Sequence, residues 1–97
     1  MYKQVASIRA KGGNVGEAVA ALKELALLID QKHNVKTEVY VQQFGPAHMI
    51  YTITDFADLA AIQAMLDKWL IDEGIRTLVK KVDLLIEPPT IMLLQPV

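Results

Sequence analysis

At 97 residues, with 53% of them hydrophobic and a formal net charge of −1, the chain supports a single domain spanning residues 1–97. Its charges are scattered and its pI is near 6.1, which argues against nucleic acid or an anionic membrane surface as the main ligand. It has no cysteine, hence no disulfide, thiolate nucleophile or sulfur-ligated metal.

No apolar run approaches the ~20 residues of a membrane span, and the opening YKQVASIRA is unlike a signal peptide. A cytoplasmic protein is the expectation. A domain this small buries only about two-thirds of its unfolded surface, yet the mean hydropathy is +0.27. That surplus asks for a partner surface, most simply a second copy of the chain in a homodimer.

Tyr2 to Ala10 reads as a first strand, broken by Lys11-Gly12-Gly13. Asn14 is placed to cap a helix over Val15 to Lys32, with Glu17 completing a capping-box-like pair. Val15, Ala18, Val19, Leu22, Leu25, Ala26 and Ile29 recur at helical spacing. His33-Asn34 closes it, Asn being able to take the left-handed conformation.

Lys36 to Thr54 reads as a hairpin around Phe44-Gly45-Pro46-Ala47, with the period of two expected of strands. Pairing Gln43 with His48 would set Tyr40 opposite Tyr51 and Val41 opposite Ile50. Val39, Val41, Ile50 and Thr52 then form one apolar face. Glu38, Tyr40, Gln42, Met49 and Tyr51 form the other, a mixture suited neither to plain solvent nor to a plain core.

Thr54 or Asp55 caps the next helix, whose apolar positions are Leu59, Ile62, Leu66, Trp69 and Leu70. RTLVKKVDLLIE has strand-like composition, but Ile75, Leu78, Val79, Val82, Leu85 and Ile86 fall on one helical face. The spacing predicts a helix over Asp72 to Glu87, ended by Pro88-Pro89. Thr90 to Gln95 is the last strand, apolar on both sides.

The order is β-α-β-β-α-β with a split second helix, an α+β, ferredoxin-like arrangement. Right-handed crossovers give strand order 4-1-3-2 with all helices on one side. The other side is bare, and the Tyr40/Tyr51 face is assigned to it.

This element order resembles the dimeric α+β barrel superfamily, in its NIPSNAP-like and antibiotic-biosynthesis-monooxygenase-like branches. The resemblance also rests on Phe44-Gly45 after the second strand, the helix break at Trp69-Leu70-Ile71-Asp72-Glu73, and Pro-Pro before a short apolar strand. It implies two sheets packed face to face around a small cavity. Haem-degrading members keep a tryptophan where Trp69 stands, but their haem-ligating histidine corresponds to Val79 and their first-strand amide to Ala6. No cofactor is therefore expected.

The candidate cavity residues are Glu38, Tyr40, Met49, Tyr51 and Trp69. The tyrosines would contact a ligand, Glu38 would act as a base if buried, and Trp69 would form a wall. The plainer readings are a cross-strand tyrosine pair, a solvated edge carboxylate and a core tryptophan. His33 and His48 lack metal-ligand spacing and a third ligand, so no metal is expected. Gly12-Gly13-Asn14-Val15-Gly16 matches no phosphate-binding signature and reads as turn and cap. Ser7 is the only serine, with no histidine placed beside it.

Two functions follow. One is binding of a small aromatic or apolar molecule, extended to cofactor-free monooxygenase- or isomerase-like chemistry. The other is a non-catalytic structural or interaction module with a packed interface.

Overall fold

The computed structural model describes all of residues 1–97. Strand β1 (Tyr2–Arg9) passes through a 3-10 turn at Lys11–Gly13 into helix α1 (Val15–His33). The hairpin β2 (Thr37–Val41) and β3 (Met49–Phe56) follows, then α2 (Leu59–Ile71), α3 (Glu73–Asp83) and β4 (Thr90–Leu94). The strands lie in the order β2-β3-β1-β4, all antiparallel. This is the α+β, ferredoxin-like arrangement expected. No helix is long and apolar enough to cross a membrane.

The hairpin register is the expected one, with Tyr40 opposite Tyr51 and Val41 opposite Ile50. Gly45 at φ 107 and His48 at φ 65 make the reversal, and both lie in the region open mainly to glycine and short turn residues. At the end of α1, Asn34 takes the left-handed conformation, φ 54 and ψ 41.

Several boundaries moved, each for a physical reason. Asn14 makes no side-chain cap to α1: the 3-10 turn, closed by Asn14 N donating to Lys11 O at 3.0 Å, holds it at φ −79 and ψ 51 rather than in the extended conformation of a capping residue. Thr54 and Asp55 remain in β3, paired with Gln4 and Lys3, so the cap of α2 is Asp58, which accepts from Ala61 N at 2.8 Å. Helix α3 ends at Asp83 rather than Glu87. Beyond it the backbone is drawn to the end of β1: Lys11 N donates to Leu85 O at 2.8 Å and Glu87 N to Arg9 O at 2.9 Å. β4 stops one residue short, at Leu94.

Alternation then divides the sheet. Gln4, Ala6 and Ile8 pair with Thr54, Thr52 and Ile50, and share the face of Val39 and Phe56. That face carries the core: Ala6, Ile8, Ile50 and Phe56 are buried with Ala18, Ala21, Leu22, Leu25 and Ile29 of α1 and Ile75 and Val82 of α3. The buried set contains no polar or charged residue.

The opposite face has no helix on it. Its central row runs Glu38, Ile53, Val5, Met92 across all four strands, and the next runs Tyr40, Tyr51, Ser7, Thr90. The edge strand β4 is exposed along its whole length, on both faces.

Candidate functional site

The five residues singled out from the sequence separate into two groups. Glu38, Tyr40, Met49 and Tyr51 stand together on the open face, as alternation requires. Trp69, on the last turn of α2, stands on the helix side of the sheet beside Gln4, Thr54 and Phe56. The cavity beside Trp69 includes none of the four open-face residues.

On the open face the polar atoms already satisfy one another. Tyr40 donates its hydroxyl to Glu38, and Tyr51 donates to Gln42 Oε1 at 2.8 Å. Gln42 in turn donates Nε2 to Phe44 O at 2.7 Å, tying Tyr51 to the hairpin reversal. Lys3 pairs with Asp55 at 2.8 Å. The hydrogen bond to Glu38, reinforced by its negative charge, raises the pKa of Tyr40; the bond to Asp55 does the same for Lys3. Both shifts hold the groups in their ordinary protonation states, and Glu38 is exposed. Tyr40 and Glu38 tie along β2, while Tyr51–Gln42 and Lys3–Asp55 tie across strands, and none of these groups stands as a free acid or base.

On the helix side lies a partly open cavity of about 120 Å³. Ile29 and Val35 bound it at the end of α1, Ile62, Met65, Leu66 and Trp69 along α2, and Phe56 and Ile91 on the sheet. Leu66 and Ile91 are also exposed at 45% and 59%, so the mouth opens between α2 and β4. Three polar side chains line it: Gln4, Thr37 and Thr54. The two threonines bond to each other at 2.7 Å. The indole Nε1 of Trp69 is buried and has no hydrogen-bond partner. A buried donor left unpaired is rare and costly, and the Trp69 ring that carries it walls this cavity and also borders Leu70, Ile75 and Val79 of a shallower one.

Gln4 is a polar cavity residue that the sequence reading leaves unassigned. Gln4 and Ala6 both point to the helix side; Ala6 is buried in the core and Gln4 reaches the cavity. The signal was present, since a lone amide two residues before a core alanine must face the same way. No lysine, arginine, carboxylate or histidine lines the cavity, so its walls supply apolar surface and neutral hydrogen bonds only.

Arg9, the Gly12-Gly13 turn and the two histidines have structural occupations. Arg9 donates to Ala47 O at 3.0 Å and lies 3.5 Å from Glu87. Gly12 and Gly13 adopt φ 57 and 75 in the 3-10 turn, and the His48 ring packs against Gly13. His33 Nε2 is buried 3.9 Å from Asp72 Oδ2. Asp72 caps α3 by accepting from Ile75 N at 3.0 Å, and also accepts from Lys32 Nζ at 2.9 Å. The Ile75 bond first, and then Lys32, lower its pKa below the ordinary value of 3.8. No group of three or more His, Cys, Asp or Glu is placed to hold a metal ion.

No protein-family model matches the chain, and no curated protein matches it. Solved structures do. An uncharacterized NIPSNAP domain protein from Burkholderia xenovorans superposes with a TM-score of 0.87 at 15% identity, over 100% of this chain and 95% of that one. A NIPSNAP family protein from Agrobacterium tumefaciens gives 0.83 at 19%, over 99% and 92%. An antibiotic biosynthesis monooxygenase gives 0.76 at 21%, over 100% and 99%. At these identities the likeness is one of fold. The chain has, end to end, the fold found in NIPSNAP domain proteins and in an antibiotic biosynthesis monooxygenase.

Proposed function

We propose that this protein binds a small, neutral, aromatic or apolar molecule in the cavity between its helices and its sheet. The observation that carries the reading is the buried, unpartnered Trp69 Nε1 beside an apolar cavity. A ligand oxygen that reached this atom would accept the hydrogen bond that the chain itself does not supply. The volume is close to the ~150 Å³ at which an apolar cavity takes up one benzene ring. Charged ligands are disfavoured, because no lining group would compensate a buried charge.

The walls provide no general base, so any monooxygenase- or isomerase-like chemistry would draw its reactivity from the substrate itself. Calorimetry and Trp69 fluorescence with acetophenone, ethylbenzene and benzoate test the reading. Acetophenone, a ring with a carbonyl acceptor, should bind best, ethylbenzene more weakly, and benzoate not at all. Saturation by none of the three, or benzoate binding best, overturns it and leaves a structural or interaction module.

A second reading concerns the open face, which we propose pairs with the same face of a second copy. Lys3 pairs with Asp55 at one end and Arg9 with Glu87 at the other, while Glu38, on the edge strand, is in no ion pair and accepts from the Tyr40 hydroxyl. Between the two ion pairs Ile53, Val5 and Met92 form an apolar row that no element of the chain covers.

A further inference from the structure

We propose that Asp72 is a positioning residue for the cavity: paired with Lys32, it latches the α2 wall, and Trp69 with it, against the end of α1. This rests on the reading of the cavity as a ligand site. Helix α2 is weakly held by packing. Of its thirteen residues only Met65 is buried, while Leu59, Leu66, Leu70 and Ile71 are exposed. A helix with so little buried surface needs another anchor to keep one position.

Asp72 supplies it. It follows directly on α2, three residues after Trp69, and its own N–H donates to Lys68 O at 3.1 Å. Its carboxylate receives Lys32 Nζ on both oxygens, at 2.9 and 3.1 Å. Lys32 lies three residues after Ile29, one turn along the same face of α1. Ile29 and Trp69 line the cavity, and Lys32 and Asp72 join the same two helices one step beyond it.

The joint is closely packed. A Cβ on Gly74 would lie 3.0 Å from Lys32 Nζ and 3.6 Å from a Leu28 methyl. The Asp72 side chain is only 15% exposed, and His33 stands behind it. Lys32 is 40% exposed, so the pair is shielded on the Asp72 side only, and its hold on the geometry comes from the two-oxygen contact and the packing around Asp72.

The test uses Asp72→Asn and Lys32→Gln. Asn caps a helix as well as Asp does, so α3 keeps its Ile75 N acceptor and loses only the charge pair. Acrylamide quenching of Trp69 in the ligand-free protein should rise about twofold in each variant, as α2 opens locally, with far-UV circular dichroism unchanged. Acetophenone affinity should fall about two- to tenfold in each, the loss expected for one removed charge-assisted contact. The double variant should be no worse than the singles, and Lys32→Arg should restore both readouts.

Lys36→Gln, which removes the nearby 3.4 Å pair with Asp30, should change neither. If Asp72→Asn does not fold, Lys32→Gln reads the same latch from α1. Unchanged quenching in Lys32→Gln overturns the proposal, as does increased quenching with unchanged acetophenone affinity. Failure of the wild type to bind either acetophenone or ethylbenzene refutes the ligand site instead.

Discussion

Tyr51 and Trp69 stand on opposite sides of the same sheet: Tyr51 on the uncovered face, bonded to Gln42, and Trp69 on the helix side against the cavity. Their substitutions should therefore separate. Tyr51→Phe deletes a part-buried hydrogen bond and should destabilise by about 0.5–1.5 kcal/mol, leaving acetophenone affinity within twofold of wild type. Trp69→Phe keeps an apolar wall and removes the donor. It should weaken acetophenone by about two- to tenfold and leave ethylbenzene nearly unchanged. Urea denaturation and calorimetry on both variants check this, and the reverse pattern would place the ligand on the open face.

Met92 and Leu93 are neighbours on β4 with opposite outlooks. Met92 pairs with Val5 in the uncovered apolar row, whereas Leu93 pairs with Gln4 on the helix side. The wild type should sediment as a dimer at micromolar concentration. Met92→Asp should give a monomer, because a carboxylate buried between two sheets has no partner there. Leu93→Asp should stay dimeric. A wild-type monomer, or equal dissociation by both variants, would show that the open face is not the interface.

Acid stability should report on Asp72. Its pKa is lowered in the folded protein, by the Ile75 amide first and the Lys32 ammonium next, with His33 also facing it. As the pH falls, the unfolded chain takes up this proton first, near the ordinary 3.8, and the folded state follows only at lower pH. The stabilisation is thus fully present above 3.8 and is lost as the pH drops through the folded value. Thermal midpoints measured from neutral pH down to strong acid should fall more steeply for wild type than for Asp72→Asn. Parallel curves would mean the carboxylate carries no linked stability.

Ile50 is fully buried on β3, opposite the buried Ile8 of β1. Ile50→Ala should cost about 2–5 kcal/mol, since the flanking helices can only partly close on the space. Ile91→Ala, at a position 59% exposed at the cavity mouth, should cost well under half as much. Urea midpoints of the two variants provide the comparison.

Much of the fold was legible because local chemistry and tertiary order agree. Period-two alternation fixed the Tyr40–Tyr51 register, since a slip by one would have turned Ile50 to solvent. Helical spacing kept Ile75 to Val82 out of the sheet despite its β-branched composition. Asn34 and the two glycines before Asn14 announced backbone reversals that only they take easily.

What the sequence could not decide was which residues meet across elements. Alternation assigns a side chain to a face, but Trp69 comes from a helix, and its side of the sheet depends on how α2 folds back over β3. The extension of β3 through Phe56 and the pull of β1 on Leu85 and Glu87 are likewise long-range backbone bonds without a local signature. The cavity is lined from both helices α1 and α2 and all four strands or their ends, and the Lys32–Asp72 latch joins positions 40 residues apart. Only packing in three dimensions brings them together.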